Sequence, residues 1–193
     1  KDFNCISKDK VEVIPGGADS SIFYYDEEIR SKFRKALDLD DKIVLIYSGR
    51  LLHHWHKKEL IFEFISHLHK KHSNLFFICL SPDVKLGNKL AKTFNLDIER
   101  VLIKMIPNIE INKYLNIADF GIIFRDNIGT NRVSSPTKIP EYLLAGLPVL
   151  MSKNIGDYSN YVVKNKSGQI LSNSIEKIIE EWGKLDPINN YED

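Results

Sequence analysis

Only two cysteines, Cys5 and Cys79, occur in 193 residues, so no disulfide framework can be built. Cys79 lies inside an apolar run and reads as a small buried hydrophobe, and a reducing, cytoplasmic setting fits. No apolar run approaches the roughly 18 residues that a membrane span needs, and no secretory leader is expected from the N-terminal pattern. Charge of one sign is scarce: 27 Lys and Arg stand against 26 Asp and Glu. That balance gives no broad nucleic-acid footprint. A G-x-G-x-x-G after a strand is missing, which disfavours a dinucleotide oxidoreductase. H-E-x-x-H is missing as well, although all six histidines fall between His53 and His72. Neither cysteine adjoins them, so they read as solvated or loop-packing residues and no metal site is assigned.

What is present is a regular alternation. The chain is 43% hydrophobic, enough for one α/β domain of ordinary size. Apolar, β-branched runs at Ile43–Ser48, Leu75–Leu80, 101–106, 120–124 and 147–151 predict buried parallel strands, with a shorter one at 169–171. Helical periodicity predicts helices between them. Residues 26–37 carry Ile29, Phe33 and Leu37 at i, i+4 and i+8, and 57–71 carry Leu60, Ile61, Phe64, Ile65 and Leu68. Weaker or shorter helices are expected over 84–94, 110–117, 157–163 and 174–185. Near the start, 11–23 predicts a short strand broken by Pro15, Gly16 and Gly17. The expected architecture is α/β: a Rossmann-like parallel sheet with helices on both faces.

Chemistry is expected beyond the carboxyl ends of such strands. Gly49 and Arg50 follow the first central strand at once, and an arginine fork suits phosphate oxygens. The richest stretch is 131–150, NRVSSPTKIPEYLLAGLPVL. Ser134 and Ser135 are N-cap residue types, and Pro136 suits a first helical position. Gly146 fits the left-handed position that ends a helix, and Pro148 bars continuation. A helix start presents backbone N–H groups and partial positive charge to an anion. Lys138 in that first turn opposes the helix dipole unless an anion lies between them. Glu141 follows at i+3, an acceptor-only carboxylate that suits the vicinal hydroxyls of a ribose. A capped surface helix carrying one glutamate fits the same pattern.

Residues 134–150 resemble the donor-site segment of retaining GT-B glycosyltransferases, the glycosyl transferase group 1 family, in a variant similar to surface-polysaccharide enzymes. Glu141 with AGLPV matches the second glutamate of that family's paired motif, whereas the first falls at Val133. Gly49, Arg50 and Leu51 match its G-R-L, and Pro15, Gly17, Asp19 and Phe23 match its interdomain segment. The resemblance implies that 11–186 is the donor-binding half of a two-domain enzyme, with 1–10 a linker remnant and 187–193 a frayed tail. It implies a nucleotide-sugar donor, UDP-linked by preference, and a glycan or lipid-linked acceptor held by a separate N-terminal domain. No nucleic acid, metal or cofactor is implied, and the full-length enzyme could sit at the cytoplasmic face of a membrane.

For the site, the resemblance implies that Gly49, Arg50, Lys57 or Lys58, and Ser135, Pro136, Thr137 and Lys138 hold the diphosphate. Arg50 and Lys57 would do the catalytic work. Glu141 would hold the ribose, and Met105 and Ile106 would meet the base. The loop of Arg125, Asp126, Asn127 and Asn131 suits a wall of the sugar pocket. Alone, the chain is expected to bind donor without turnover. A GT-B nucleotide-sugar epimerase and a non-catalytic nucleotide-sugar-binding module are the alternatives.

Overall fold

The structure, a computed structural model, describes residues 14–185. The expected linker and tail, and the first residues of the strand expected over 11–23, lie outside them. Six strands form one sheet: β1 (Ile43–Ser48), β2 (Leu75–Leu80), β3 (Val101–Lys104), β4 (Phe120–Ile123), β5 (Val149–Ser152) and β6 (Gly168–Leu171). Their order is β3-β2-β1-β4-β5-β6, and every pairing is parallel. The chain therefore winds outward from β1 to one edge, then returns to start again at β4. That reversal opens a crevice between β1 and β4 at their carboxyl ends.

Both faces of the sheet are covered, which is why the strands read as continuous apolar runs rather than as alternation. Successive residues still point to opposite sides. Val44 and Ile46 of β1 join the core beneath α1 (Glu27–Ala36), α4 (Asn108–Ile117), α6 (Lys138–Leu144) and α7 (Tyr158–Lys164). Leu45 and Tyr47 join the core beneath α2 (Lys58–Lys71), α3 (Val84–Thr93) and α8 (Ile175–Leu185). The predicted stripe of α2 is buried throughout, and Phe62 extends it. Phe62 meets Phe77 edge-on at 5.6 Å, and Phe64 meets Trp182 of α8 at 5.7 Å.

Three expectations change. Residues 14–26 are irregular, with no strand among the described part of 11–23. Ser21 N–H and Oγ both bond Asp19 Oδ1, and Phe23 N–H bonds Asp19 O, so local turns take the groups a strand would pair. The predicted loop at 125–132 contains a short helix, α5 (Gly129–Arg132). Leu37 caps α1 and is exposed, while Leu39 turns back into the core.

Gly146 has φ +74°, the left-handed end of α6 expected from sequence. Its N–H bonds Leu143 O, and Leu147 N–H bonds Tyr142 O at 2.9 Å.

Helix α1 is fastened by charge rather than by its apolar stripe alone. Asp119, just before β4, accepts from Arg30 Nη2 at 2.5 Å and from Val44 N–H at 2.7 Å, with Arg34 Nη1 at 3.3 Å. Arg30 and Arg34 also donate to the carbonyls of Asn116, Ala118 and Ile117 at the end of α4. Arg34 is buried, and Asp119 neutralises it. Removing one partner of such a pair leaves an uncompensated charge. Asp119→Ala is expected to cost about 3–5 kcal/mol in urea unfolding. A loss below about 1 kcal/mol, the scale of an exposed pair, would contradict this role.

Candidate active site

The crevice between β1 and β4 is shaped by how tightly α6 lies on the sheet. Gly121 of β4 has no side chain, and a Cβ there would come within 2.4 Å of the Tyr142 ring. The ring passes over this gap, and Tyr142 Oη accepts the Ser48 N–H at 2.9 Å, fully buried. One bond thus joins the middle of α6 to the end of β1. It brings Lys138, one turn earlier on α6, over Gly49 and Arg50.

The turn after β1 is fixed from the other side. Gly49 N–H bonds Leu80 O at 2.9 Å. Asp83 Oδ2 accepts from Leu51 N–H at 2.8 Å and Leu52 N–H at 3.1 Å. Tyr47 Oη donates to Arg50 O at 2.8 Å. Backbone rigidity therefore does not depend on the Arg50 side chain, which is exposed and free to meet a ligand.

Two cavities meet along this ridge. One, of about 340 Å³, runs towards β2 and β3 and is lined by Ser81, Met105, Ile106 and Asn108. The other, of about 460 Å³, runs towards β4 and β5 and is lined by His53, Trp55, His56, Arg125 and 134–137. Ser48, Gly49, Arg50 and Lys138 border both. Among the described residues no carboxylate lines either cavity. No group of three or more His, Cys, Asp or Glu among them could hold a metal ion.

The predicted residues divide accordingly. Gly49, Arg50 and Lys138 come together at the shared ridge. Ser135, Pro136 and Thr137 line the larger cavity, and Met105 and Ile106 the smaller. Neither Lys57 nor Lys58 reaches either cavity: Lys57 Nζ pairs with Asp126 at 3.2 Å and Lys58 Nζ with Glu59 at 3.4 Å. Glu141 is buried behind the wall, and its Oε2 accepts from Lys138 Nζ at 2.8 Å. Within the protein, the carboxylate at i+3 offsets the helix-dipole penalty on Lys138.

The expected capping does not occur. Thr137 is the N-cap of α6, in helical conformation and with no side-chain cap bond. Ser135 Oγ accepts instead from Gly16 N–H at 2.5 Å, whose carbonyl takes the Tyr158 hydroxyl. Ser134 Oγ donates to Asn131 O at 2.8 Å. The serines thus hold neighbouring loops to the entrance of α6.

The aromatic wall of the larger cavity escaped the sequence reading, which set the H-H-W-H loop aside as packing. Here His53 stacks on Trp55, with centroids 4.4 Å apart and planes 9° from parallel. The loop is bound to the end of β4: His56 bridges Arg125, Lys57 N–H bonds Phe124 O, and Asn131 Nδ2 bonds the carbonyls of Trp55 and Asp126. Four rings directly behind the Gly-Arg turn were the available signal, since that position follows a central strand.

The structural comparisons bear on this arrangement. No protein-family model and no curated protein matches the sequence. Among solved structures, the C-terminal domain of a glycosyl transferase group 1 family protein (LpcC) from Francisella tularensis is similar. It aligns with TM-score 0.66 and 18% identity, over 88% of this chain and 87% of that one. The chain has the fold of a GT-B C-terminal domain.

WaaG, a glycosyltransferase involved in lipopolysaccharide biosynthesis, shares this fold with TM-score 0.70, 16% identity and 90% of this chain covered. HepE from Anabaena, in complex with UDP and glucose, gives TM-score 0.70 and 16% identity over 95% of this chain. The chain spans about half of these two proteins, 46% and 49% of their lengths. A UDP-N-acetylglucosamine 2-epimerase is also similar, with TM-score 0.53 and 15% identity over 80% of this chain and 38% of that one. In this GT-B C-terminal fold the crevice described above is the place where the sheet order reverses.

Two imidazoles give the folded chain a pH signature. Burial, reinforced by Arg125, lowers the His56 pKa to about 4. Burial also lowers that of His69 to about 4, aided by Arg100, and neither His69 ring nitrogen has a hydrogen-bond partner among the described residues. Below pH about 6.5 the unfolded chain binds these protons, while the folded chain resists them until about pH 4. Stability is therefore full above pH about 6.5 and declines as pH falls towards 4. NMR titration is expected to show both imidazoles neutral at pH 6, with the urea midpoint dropping across that window. Titration of either near 6.5 would refute the burial account.

Proposed function

We propose that this chain is the donor-binding domain of a glycosyltransferase that takes its sugar from a nucleotide sugar and transfers it with retention. The observation that carries the reading is the pair of cavities joined at a cationic ridge. A nucleotide sugar has the same plan, with a flat base at one end, a charged diphosphate in the middle and a hydroxylated ring at the other end. The base would lie by Met105 and Ile106, the diphosphate over Gly49, Arg50 and Lys138, and the sugar against the His53–Trp55 stack. Similarity to a protein seen with UDP and glucose supports a UDP-linked donor.

Transfer loads negative charge onto the departing diphosphate as the sugar becomes oxocarbenium-like. Preorganised donors aimed at that charge lower the barrier. Arg50 and Lys138 would supply them, with Ser135, Pro136 and Thr137 shaping the adjoining wall. Lys57 or Lys58 would add a further cation after leaving its present carboxylate partner. Glu141 lines neither cavity as it stands, and would reach the ribose through its second oxygen once the wall in front of it shifts, while Oε2 keeps Lys138 in place. The reading needs no metal. Acceptor capture, on a glycan or lipid-linked chain, is assigned to the whole two-domain enzyme, with any membrane contact made at its cytoplasmic face. The 193 residues alone would bind donor without turnover.

Calorimetry with UDP, GDP, ADP and CMP tests the core of the proposal. One nucleotide is expected to bind, and Arg50→Ala to lose about 1.5–3 kcal/mol, roughly 10- to 150-fold in Kd. No nucleotide binding, or unchanged affinity in the variant, would reject it. Glu141→Gln separates two roles. A ribose contact weakens nucleoside diphosphate but spares inorganic pyrophosphate, whereas a carboxylate that only positions Lys138 weakens both.

The epimerase likeness favours a second reading, in which the same cavities hold a nucleotide sugar that is rearranged rather than transferred. Product analysis of the full-length enzyme with its donor separates the two. A new nucleotide-sugar isomer formed without acceptor would replace transfer by epimerisation.

A further inference from the structure

Arginines that serve the fold have a recognisable environment in this chain. Arg30 and Arg34 bond Asp119 and several main-chain carbonyls. Arg100 bonds Asp97 and the carbonyls of His69 and His72. Arg125 differs from all three. Arg125 lines the larger cavity, and among the described residues its side chain makes one hydrogen bond, from Nη1 to Ser134 Oγ at 3.2 Å. The Nε–H is buried and has no acceptor among the described residues. No carboxylate pairs with it among the described residues. Asp126, the nearest in sequence, is taken by Lys57.

This costly arrangement is firmly held. Arg125 N–H donates to Ser152 Oγ at 2.8 Å, Ser152 Oγ donates to Arg125 O at 2.9 Å, and Asn173 Nδ2 donates to the same carbonyl at 3.3 Å. The residue is anchored by its backbone, so the side chain is not needed to hold the loop. Burial lowers the Arg125 pKa, a sign that the cation is desolvated without a counter-charge. His56 beside it is kept neutral by the same burial. A desolvated guanidinium with open donors is a site for an anion, and its fork matches the two oxygens of a carboxylate.

We infer that Arg125 binds a carboxylate carried by the donor sugar, so that the donor is a nucleotide-linked uronic acid. The inference rests on the donor reading above and extends it. Arg50 and Lys138 border both cavities and suit the diphosphate, whereas Arg125 lines only the cavity assigned to the sugar. A neutral hexose there would offer hydroxyl acceptors but no counter-charge to the guanidinium. A carboxylate at the sugar's sixth carbon would meet it next to the His53–Trp55 stack.

The test compares matched ligands that differ only at that carbon. UDP-glucose against UDP-glucuronate and UDP-galactose against UDP-galacturonate are titrated into the chain by calorimetry, with free UDP as reference and GDP-linked pairs in parallel. The carboxylate member of a pair is expected to bind at least roughly tenfold tighter, a preference that falls to about one in Arg125→Gln. The comparison in the unaltered chain decides the matter even where the variant does not fold. Equal affinity within every pair, while the free diphosphate binds, overturns this inference alone. A variant that loses as much affinity for free UDP as for the uronate would make Arg125 a diphosphate ligand and also overturn it. Absence of all nucleotide binding removes the donor reading and this inference with it.

Discussion

A single buried hydrogen bond, from Ser48 N–H to Tyr142 Oη, sets the geometry on which the crevice depends. A tyrosine hydroxyl placed among apolar side chains must find a partner. Here the partner is the last residue of β1, reached by a ring that lies across the neighbouring strand β4. The ring can cross only because Gly121 leaves the surface of β4 bare. Lys138 and Arg50, eighty-eight positions apart in the chain, face one another as a result. Without that crossing, α6 would ride higher on the sheet and the two cavities would not share a wall.

Charge in the crevice is sorted by pairing. Lys138 is held by Glu141, and Lys57, outside the cavities, by Asp126, so both cations rest in a neutralised state. Arg50 and Arg125 have no carboxylate partner among the described residues, one at the ridge and one deeper towards β5. His56, kept neutral by burial, adds no further positive charge beside Arg125. The result is a cleft bordered by two guanidinium groups that have no carboxylate partner among the described residues. The opposite sorting holds at the amino-terminal ends of β1 and β4, where Asp119 compensates Arg30 and Arg34 and fixes α1 to the end of α4. Similar residues thus do structural work in one place and leave binding capacity in the other.

Much of this was legible from the residues. Apolar runs marked the five main strands because buried parallel strands admit little else. Gly146 and Pro148 marked the end of α6 because backbone conformation is a local property. Gly49 and Arg50 were found from their position after a strand. The serines at 134 and 135 misled because N-cap chemistry is also loop chemistry. Nothing local shows that Gly16, more than a hundred residues earlier, will claim the Ser135 hydroxyl. Of the two lysines behind the Gly-Arg turn, Lys58 pairs with the adjacent Glu59, but the partner of Lys57, Asp126, lies far along the chain and could not be read locally.

The sequence by itself determined the α/β class, the order of the elements, the residue types at the strand ends and the resemblance of one segment to a donor site. These rest on periodicity, turn chemistry and short motifs, all read within a few residues. Tertiary structure alone decided the 3-2-1-4-5-6 order, the meeting of Arg50 with Lys138, the burial of Glu141 behind the wall and the lack of a carboxylate partner for Arg125 among the described residues. Each of those depends on which distant group fills a space or supplies a counter-charge. No local pattern carries that information, because desolvation and pairing are properties of the packed whole.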